Sequence, residues 1–170
     1  MTDSDLNHLH PFVRSILAKH IAAATRHGLI TKVIETYRDE TTQLVNWQKG
    51  RDAQGNIIDR AAIVTNAPPG ASYHGVRYNA GMPCSLAYHL AIDVPGPPLL
   101  GFGDSRLTKA AEALYTGLGI LGEDLGLTWG GRWQLRDWTH FEQRFPGSSL
   151  ADIKALILSM GDIDSLFVHA

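Results

Sequence analysis

Hydrophobic positions recur at helical spacing over residues 11–27. Phe12, Ile16, Leu17, Ile21 and Ala24 form one stripe there, with Pro11 suited to the first turn and Gly28 to the end. The strongest helical pattern runs over 105–124, where Leu107, Ala110, Ala111, Leu114, Leu118 and Leu121 keep the period. Shorter helices are predicted over 40–50, closed by Gly50, and over 149–160, behind the turn "PGSS". The β-branched stretch "LITKVIETYR" (29–38) predicts a strand, as do "HLAIDV" (89–94) and "WTHFEQ" (138–143). Residues 61–74 read as a short strand running into a Pro-Pro-Gly turn, and 51–60 as a polar loop. The pattern predicts an α+β fold: a small antiparallel sheet with flanking helices.

A chain of 170 residues fits one domain and can bury a core without disulfide or metal staples. Residues 1–170 are therefore expected to form a single domain. Charged residues make up 19% of the chain and the net charge is −2. No basic field is present to hold nucleic acid. A single cysteine, Cys84, excludes an internal disulfide and reads as a small, partly buried residue. The opening "MTDSDLNHLHPFV" is polar and acidic, unlike a signal peptide. No apolar run approaches the ~20 residues that cross a bilayer. The expectation is a monomer made in the cytoplasm, with no membrane partner.

Candidate chemistry gathers at the ends of predicted strands and turns. His74 follows the rigid turn in "APPGASYH", Asp93 closes "HLAID", and Asp137 and His140 flank the start of the last strand. A hydrolytic zinc site needs three protein ligands, an open position for water, and a base that does not bind the metal. His74, Asp93 and His140 are candidate ligands and Asp137 a candidate base. Positions three apart point to opposite faces of a regular strand, so Asp137 and His140 can share a site only if the backbone bends between them. Each residue taken singly has an ordinary reading as a surface or strand-end group. For His8, His10, His20, His27 and His169 the surface reading is the one adopted.

Taken together, "TYRD" (36–39), "VTNAPPGASYH" (64–74), "LAID" (90–93), "LGLTWGGRW" (125–133) and "DWTHFE" (137–142) resemble the M15 family of zinc peptidases. Within that family they resemble the L-alanyl-D-glutamate endopeptidase branch, which includes phage endolysins. The resemblance implies the fold of the DD-peptidase/hedgehog-like zinc peptidases. It implies Zn2+ held by His74, Asp93 and His140, Asp137 as general base and acid, and Arg38 steadying the polarised carbonyl oxygen. Ser72, Tyr73, His89 and Glu142 would line the pocket or support the ligands. The implied substrate is the peptidoglycan stem peptide, cut between L-Ala and D-Glu, with release to the cell wall by a holin or by lysis if the source is a phage. The alternatives are a D-Ala-D-Ala dipeptidase or carboxypeptidase of the same family, or a metal-free wall-binding or virion relative. One departure stands out. His74 and Asp93 are nineteen positions apart, much further than in the family pattern, so residues 75–88 read as an insertion. That segment is expected to form an exposed loop beside the cleft. His89 is then the alternative first ligand, with the PGxSxH context favouring His74.

Overall fold

The structure is a computed structural model, and it describes residues 2–78, 81–93 and 109–160. Four strands make an antiparallel sheet in the order β2-β4-β6-β5: β2 Thr31–Glu35, β4 Ala87–Ile92, β6 His140–Glu142 and β5 Thr128–Trp129. A two-stranded ribbon pairs β1 Thr2–Asp3 with β3 Tyr37–Arg38. The helices are α1 Pro11–Arg26, α2 Glu40–Gln48, α3 Lys109–Glu123 and α4 Leu150–Met160. Helices and an antiparallel sheet are thus both present, as the hydrophobic pattern predicts. Among the described residues no helix is long and apolar enough to cross a membrane.

Strand alternation divides the sheet into two chemically different faces. On β4, Tyr88, Leu90 and Ile92 point into the core with Phe141 of β6, Val13 and Leu17 of α1, and Tyr115 and Leu118 of α3. Each such large side chain contributes about 1.5–3 kcal/mol by leaving water. The helix-to-sheet approach needs small residues: a Cβ at Gly122 of α3 would sit 2.7 Å from the Phe141 ring. His20 on α1 is also in this core, despite the surface reading from sequence. One ring nitrogen meets the Tyr88 hydroxyl at 2.8 Å and the other meets the Leu118 carbonyl at 2.9 Å. His10 is likewise buried; its side chain caps α1 by accepting from the Phe12 amide.

Other departures have local causes. The stretch 29–38 is not one strand, because it breaks at Thr36, whose hydroxyl donates to the Asp5 carbonyl at 2.8 Å. Residues 61–74 form no strand. They carry short 3-10 turns at Arg60–Ala62 and Tyr73–Gly75, and the Ser72 side chain caps the second by accepting from the His74 amide. Residues 75–88 are not an exposed loop as a whole. Val76, Cys84, Leu86, Ala87 and Tyr88 are buried, and the Cys84 amide donates to the Val76 carbonyl. Arg77, Gly81 and Met82 are exposed, and the chain is buried again from Cys84, three residues before β4. Of the other readings, 105–108 and Val94 lie outside the described residues, as do 161–170.

Candidate metal centre

The second face of the sheet carries the polar row. Strand pairing sets Glu35 of β2 opposite His89 of β4, and His89 opposite His140 of β6. A register shift between Val33 and Glu35 brings Glu35 into that row. Directly opposite residues share a face, so three side chains from three strands line up. His74 arrives from outside the sheet, on the turn that follows the Pro-Pro-Gly bend. The ligand-capable atoms of His74, His89 and His140 lie within 4.8 Å of one another. His74 Nε2 is 3.3 Å from His140 Nδ1, and His89 Nε2 is 3.0 Å from the same atom.

The outward nitrogens decide what the inward ones can do. His74 Nδ1 faces the Thr36 carbonyl at 3.0 Å, His89 Nδ1 faces Glu35 Oε2 at 3.1 Å, and His140 Nε2 faces Glu142 Oε2 at 2.9 Å. A carbonyl and two carboxylates can only accept. Each outward nitrogen therefore carries the proton, and each inward nitrogen of a neutral ring presents a lone pair. Three lone pairs pointing at one place repel one another unless a cation lies between them. Ligating histidines characteristically hold such acceptors on their other nitrogen. The donor set fits a divalent metal ion bound by imidazole.

Burial and charge favour the unprotonated form. Burial pushes the His74 imidazole well below its ordinary value, and His89, His140 and the Arg38 guanidinium nearby push the same way. Burial also lowers His89, against the pull of Asp137 and Glu35. Glu142 is raised by burial, but its hydrogen bond from His140 and the charges of His140 and Arg144 outweigh this and hold its carboxyl below the ordinary value.

The backbone does bend between Asp137 and His140. The His140 amide donates to the Asp137 carbonyl at 3.3 Å, closing a turn that brings both side chains to one site. Gly130 makes room: a Cβ there would lie 2.6 Å from the Asp137 carbonyl oxygen and 3.0 Å from His140 Cβ. Asp137 Oδ1 accepts from the Thr139 hydroxyl at 3.1 Å, while Oδ2 lies 3.6 Å from His89 Nε2. Its free oxygen therefore faces the imidazole cluster. Trp133 packs on the His140 ring at 4.9 Å between centroids.

Arg38 lines the same cavity. Its Nε and Nη2 both donate to the Glu35 carboxylate, and Nη1 donates to Gln43 Oε1 at 2.9 Å. Ser72 and Tyr73 also line the cavity, beside His74. Asp93 is not among the groups that converge. It is exposed past the end of β4, with its amide bonded to the Ile30 carbonyl. His89, four residues earlier, supplies the third converging side chain. The alternation of β4 carries that signal, since Ala87, His89 and Ala91 fall on the face opposite Tyr88, Leu90 and Ile92. Glu35 and Thr36 had no comparable mark in the sequence.

The cluster lines a cavity of about 80 Å³, and a groove of about 820 Å³ lies beside it. The two share Asn66, Ala67, Ala71, Tyr73, Trp133 and Glu142 as walls. Comparison of the sequence with family models and with curated proteins finds no match.

Proposed function

We propose that this chain is a zinc-dependent peptidase in which His74, His89 and His140 hold the metal and Asp137 moves the proton. The observation that carries this reading is the convergence of three imidazole lone pairs, each ring fixed from behind by an acceptor. Three protein ligands with room left for water are the usual donor set of a hydrolytic zinc site. When bound, zinc polarises a carbonyl and lowers the pKa of a water molecule towards ~7.

The chain's own groups supply the rest. Asp137 Oδ2 takes a proton from the attacking water and returns it to the leaving amine, typically worth ~10²–10⁴ in rate. Thr139 holds the other carboxylate oxygen, which aims the first. Three of the five N–H groups of Arg38 are used by Glu35 and Gln43. Arg38 lines the cavity, and in this reading its other two N–H groups donate to a carbonyl oxygen as it gains negative charge. The groove beyond the cluster offers an extended chain two aromatic walls, Tyr73 and Trp133.

The substrate we propose is the peptidoglycan stem peptide, cut between L-Ala and D-Glu. Support comes from the resemblance of "TYRD", "APPGASYH" and "DWTHFE" to the M15 peptidases, and the same resemblance supports their zinc-peptidase fold. Action on the wall would follow release from the cytoplasm by a holin or by lysis. The test is mass spectrometry of fragments released from purified peptidoglycan. New N-terminal D-Glu on the released peptides is the expected result. Intact stem peptides after incubation with the zinc-loaded protein would contradict it, and cleavage at D-Ala-D-Ala would move the assignment to the dipeptidase or carboxypeptidase branch.

A further inference from the structure

We infer that Glu35 is a positioning residue that determines which nitrogen of His89 faces the metal, and that Arg38 enforces the choice. The inference rests on the metal reading above and adds a role to two residues outside the ligand set. Glu35 is 5% exposed and Arg38 9%, so neither can readily exchange its partner for water. Both carboxylate oxygens of Glu35 accept from the Arg38 fork, and Oε2 also meets His89 Nδ1 at 3.1 Å. Arg38 can only donate, and the carboxylate it grips can only accept. The carboxylate oxygen beside His89 therefore favours the proton on Nδ1, 3.1 Å away. The Nε2 lone pair then points at His140 Nδ1, 3.0 Å away.

The arrangement repeats at the second ligand. His140 Nε2 meets Glu142 Oε2, whose other oxygen accepts from Arg144 Nε. In each case an arginine a few residues along grips the carboxylate that grips the histidine. The Arg38 pair is the buried one, whereas the Arg144 side chain is 55% exposed. Loss of polarity is therefore harder to repair at Glu35.

An amide at position 35 cannot meet both neighbours. A glutamine has one accepting and one donating end. Whichever way it turns, its NH2 meets an Arg38 N–H, and in one orientation it also donates to His89 Nδ1. That second orientation puts a proton on Nε2 and removes the ligand. Taking away the guanidinium should release the conflict, because the glutamine oxygen could then turn to His89 alone.

The experiment is cobalt(II) binding to the full chain, followed by visible absorption and by chelator competition. The variants are Glu35→Gln, Glu35→Asp and Glu35→Gln/Arg38→Met. Metal-free thermal unfolding confirms that each variant folds. Glu35→Gln is expected to weaken cobalt binding about 10–100-fold and to change the absorption intensity as a ligand is lost. Glu35→Asp, which stays an acceptor, should keep the parent spectrum. The double variant should bind more tightly than Glu35→Gln alone, a non-additivity that a general loss of stability would not produce. A parent protein that takes up no cobalt overturns the metal reading and this inference with it. A parent that binds cobalt while Glu35→Gln matches its affinity and spectrum overturns only the role of Glu35. A double variant no better than Glu35→Gln overturns the part given to Arg38.

Discussion

His89 and His140 stand directly opposite each other on β4 and β6, and their facing ring nitrogens are 3.0 Å apart. Adjacent antiparallel strands bring opposed side chains close, and here both are imidazoles held by carboxylates behind. This pair, joined by His74, defines the candidate ligand set. His89→Ala and His140→Ala should each lower bound zinc well below one ion per chain. Asp93→Ala should leave it unchanged, since Asp93 lies exposed past the end of its strand. Metal analysis of the three purified variants checks this.

Asp137 should have a different job from its neighbour in the same turn. Asp137→Asn is expected to keep the metal and to lose peptide hydrolysis by ~10²–10⁴, the usual worth of general acid–base help. The measurement is cleavage rate at matched zinc content. Glu142→Gln should cost about 10–100-fold in metal affinity, as it holds a ligand rather than the substrate. An Asp137→Asn protein that cuts at the parent rate would remove Asp137 from the mechanism.

Acid should weaken the metal-free fold in a defined window. His74 and His89 have folded-state values below the ordinary 6.5, chiefly through burial. Between those lowered values and 6.5 the unfolded chain binds more protons than the folded one, so stability falls as pH drops. Above 6.5 both states are neutral at these groups and the effect vanishes. Glu142 adds stability that is present above 4.5 and lost as pH falls through its lowered folded value. Thermal unfolding without metal should therefore show a flat Tm above neutrality and a decline below about 6.5. Metal affinity should fall over the same acidic range, because the ligands must be unprotonated. A Tm that rises on acidification from pH 7 would contradict the burial of these neutral rings.

The helices were legible because their stripes follow the 3.6-residue period: α1 and the described part of α3 fall where the pattern puts them. The turn holding Asp137 and His140 was legible in outline from the surrounding glycines and aromatics. The third converging residue was harder, because Asp93 and His89 fall on the same parity of "HLAID", and only the end of β4 at Ile92 and its pairing leave His89 in the row and Asp93 outside it. Register depends on the partner strands, and the shift between Val33 and Glu35 has no local sequence marker. Glu35 and Thr36 belong to the site through pairing across the sheet, not through any motif. The stretch 75–88 departs from the exposed loop expected of it for a related reason. Arg77, Gly81 and Met82 are exposed, while Gly75, Val76 and the "CSLAY" end are buried.

Gly130 packs against the Asp137 backbone, whose amide donates to the Gly130 carbonyl at 3.0 Å. Gly130→Ala would place a methyl group 2.6 Å from the Asp137 carbonyl oxygen, and backbone must move to relieve it. The expected result is weaker zinc binding and lower activity together, with a stability loss of about 1–3 kcal/mol as for other overpacked sites. Denaturant unfolding alongside zinc titration checks both. A Gly130→Ala variant with parent affinity would mean that the turn tolerates the shift.

The most direct test of the metal centre is an anomalous difference map from crystals grown or soaked with zinc. One peak is expected, about 2.0–2.1 Å from His74 Nε2, His89 Nε2 and His140 Nδ1. A peak bound through Asp93, or no peak among the three rings at saturating zinc, would contradict it.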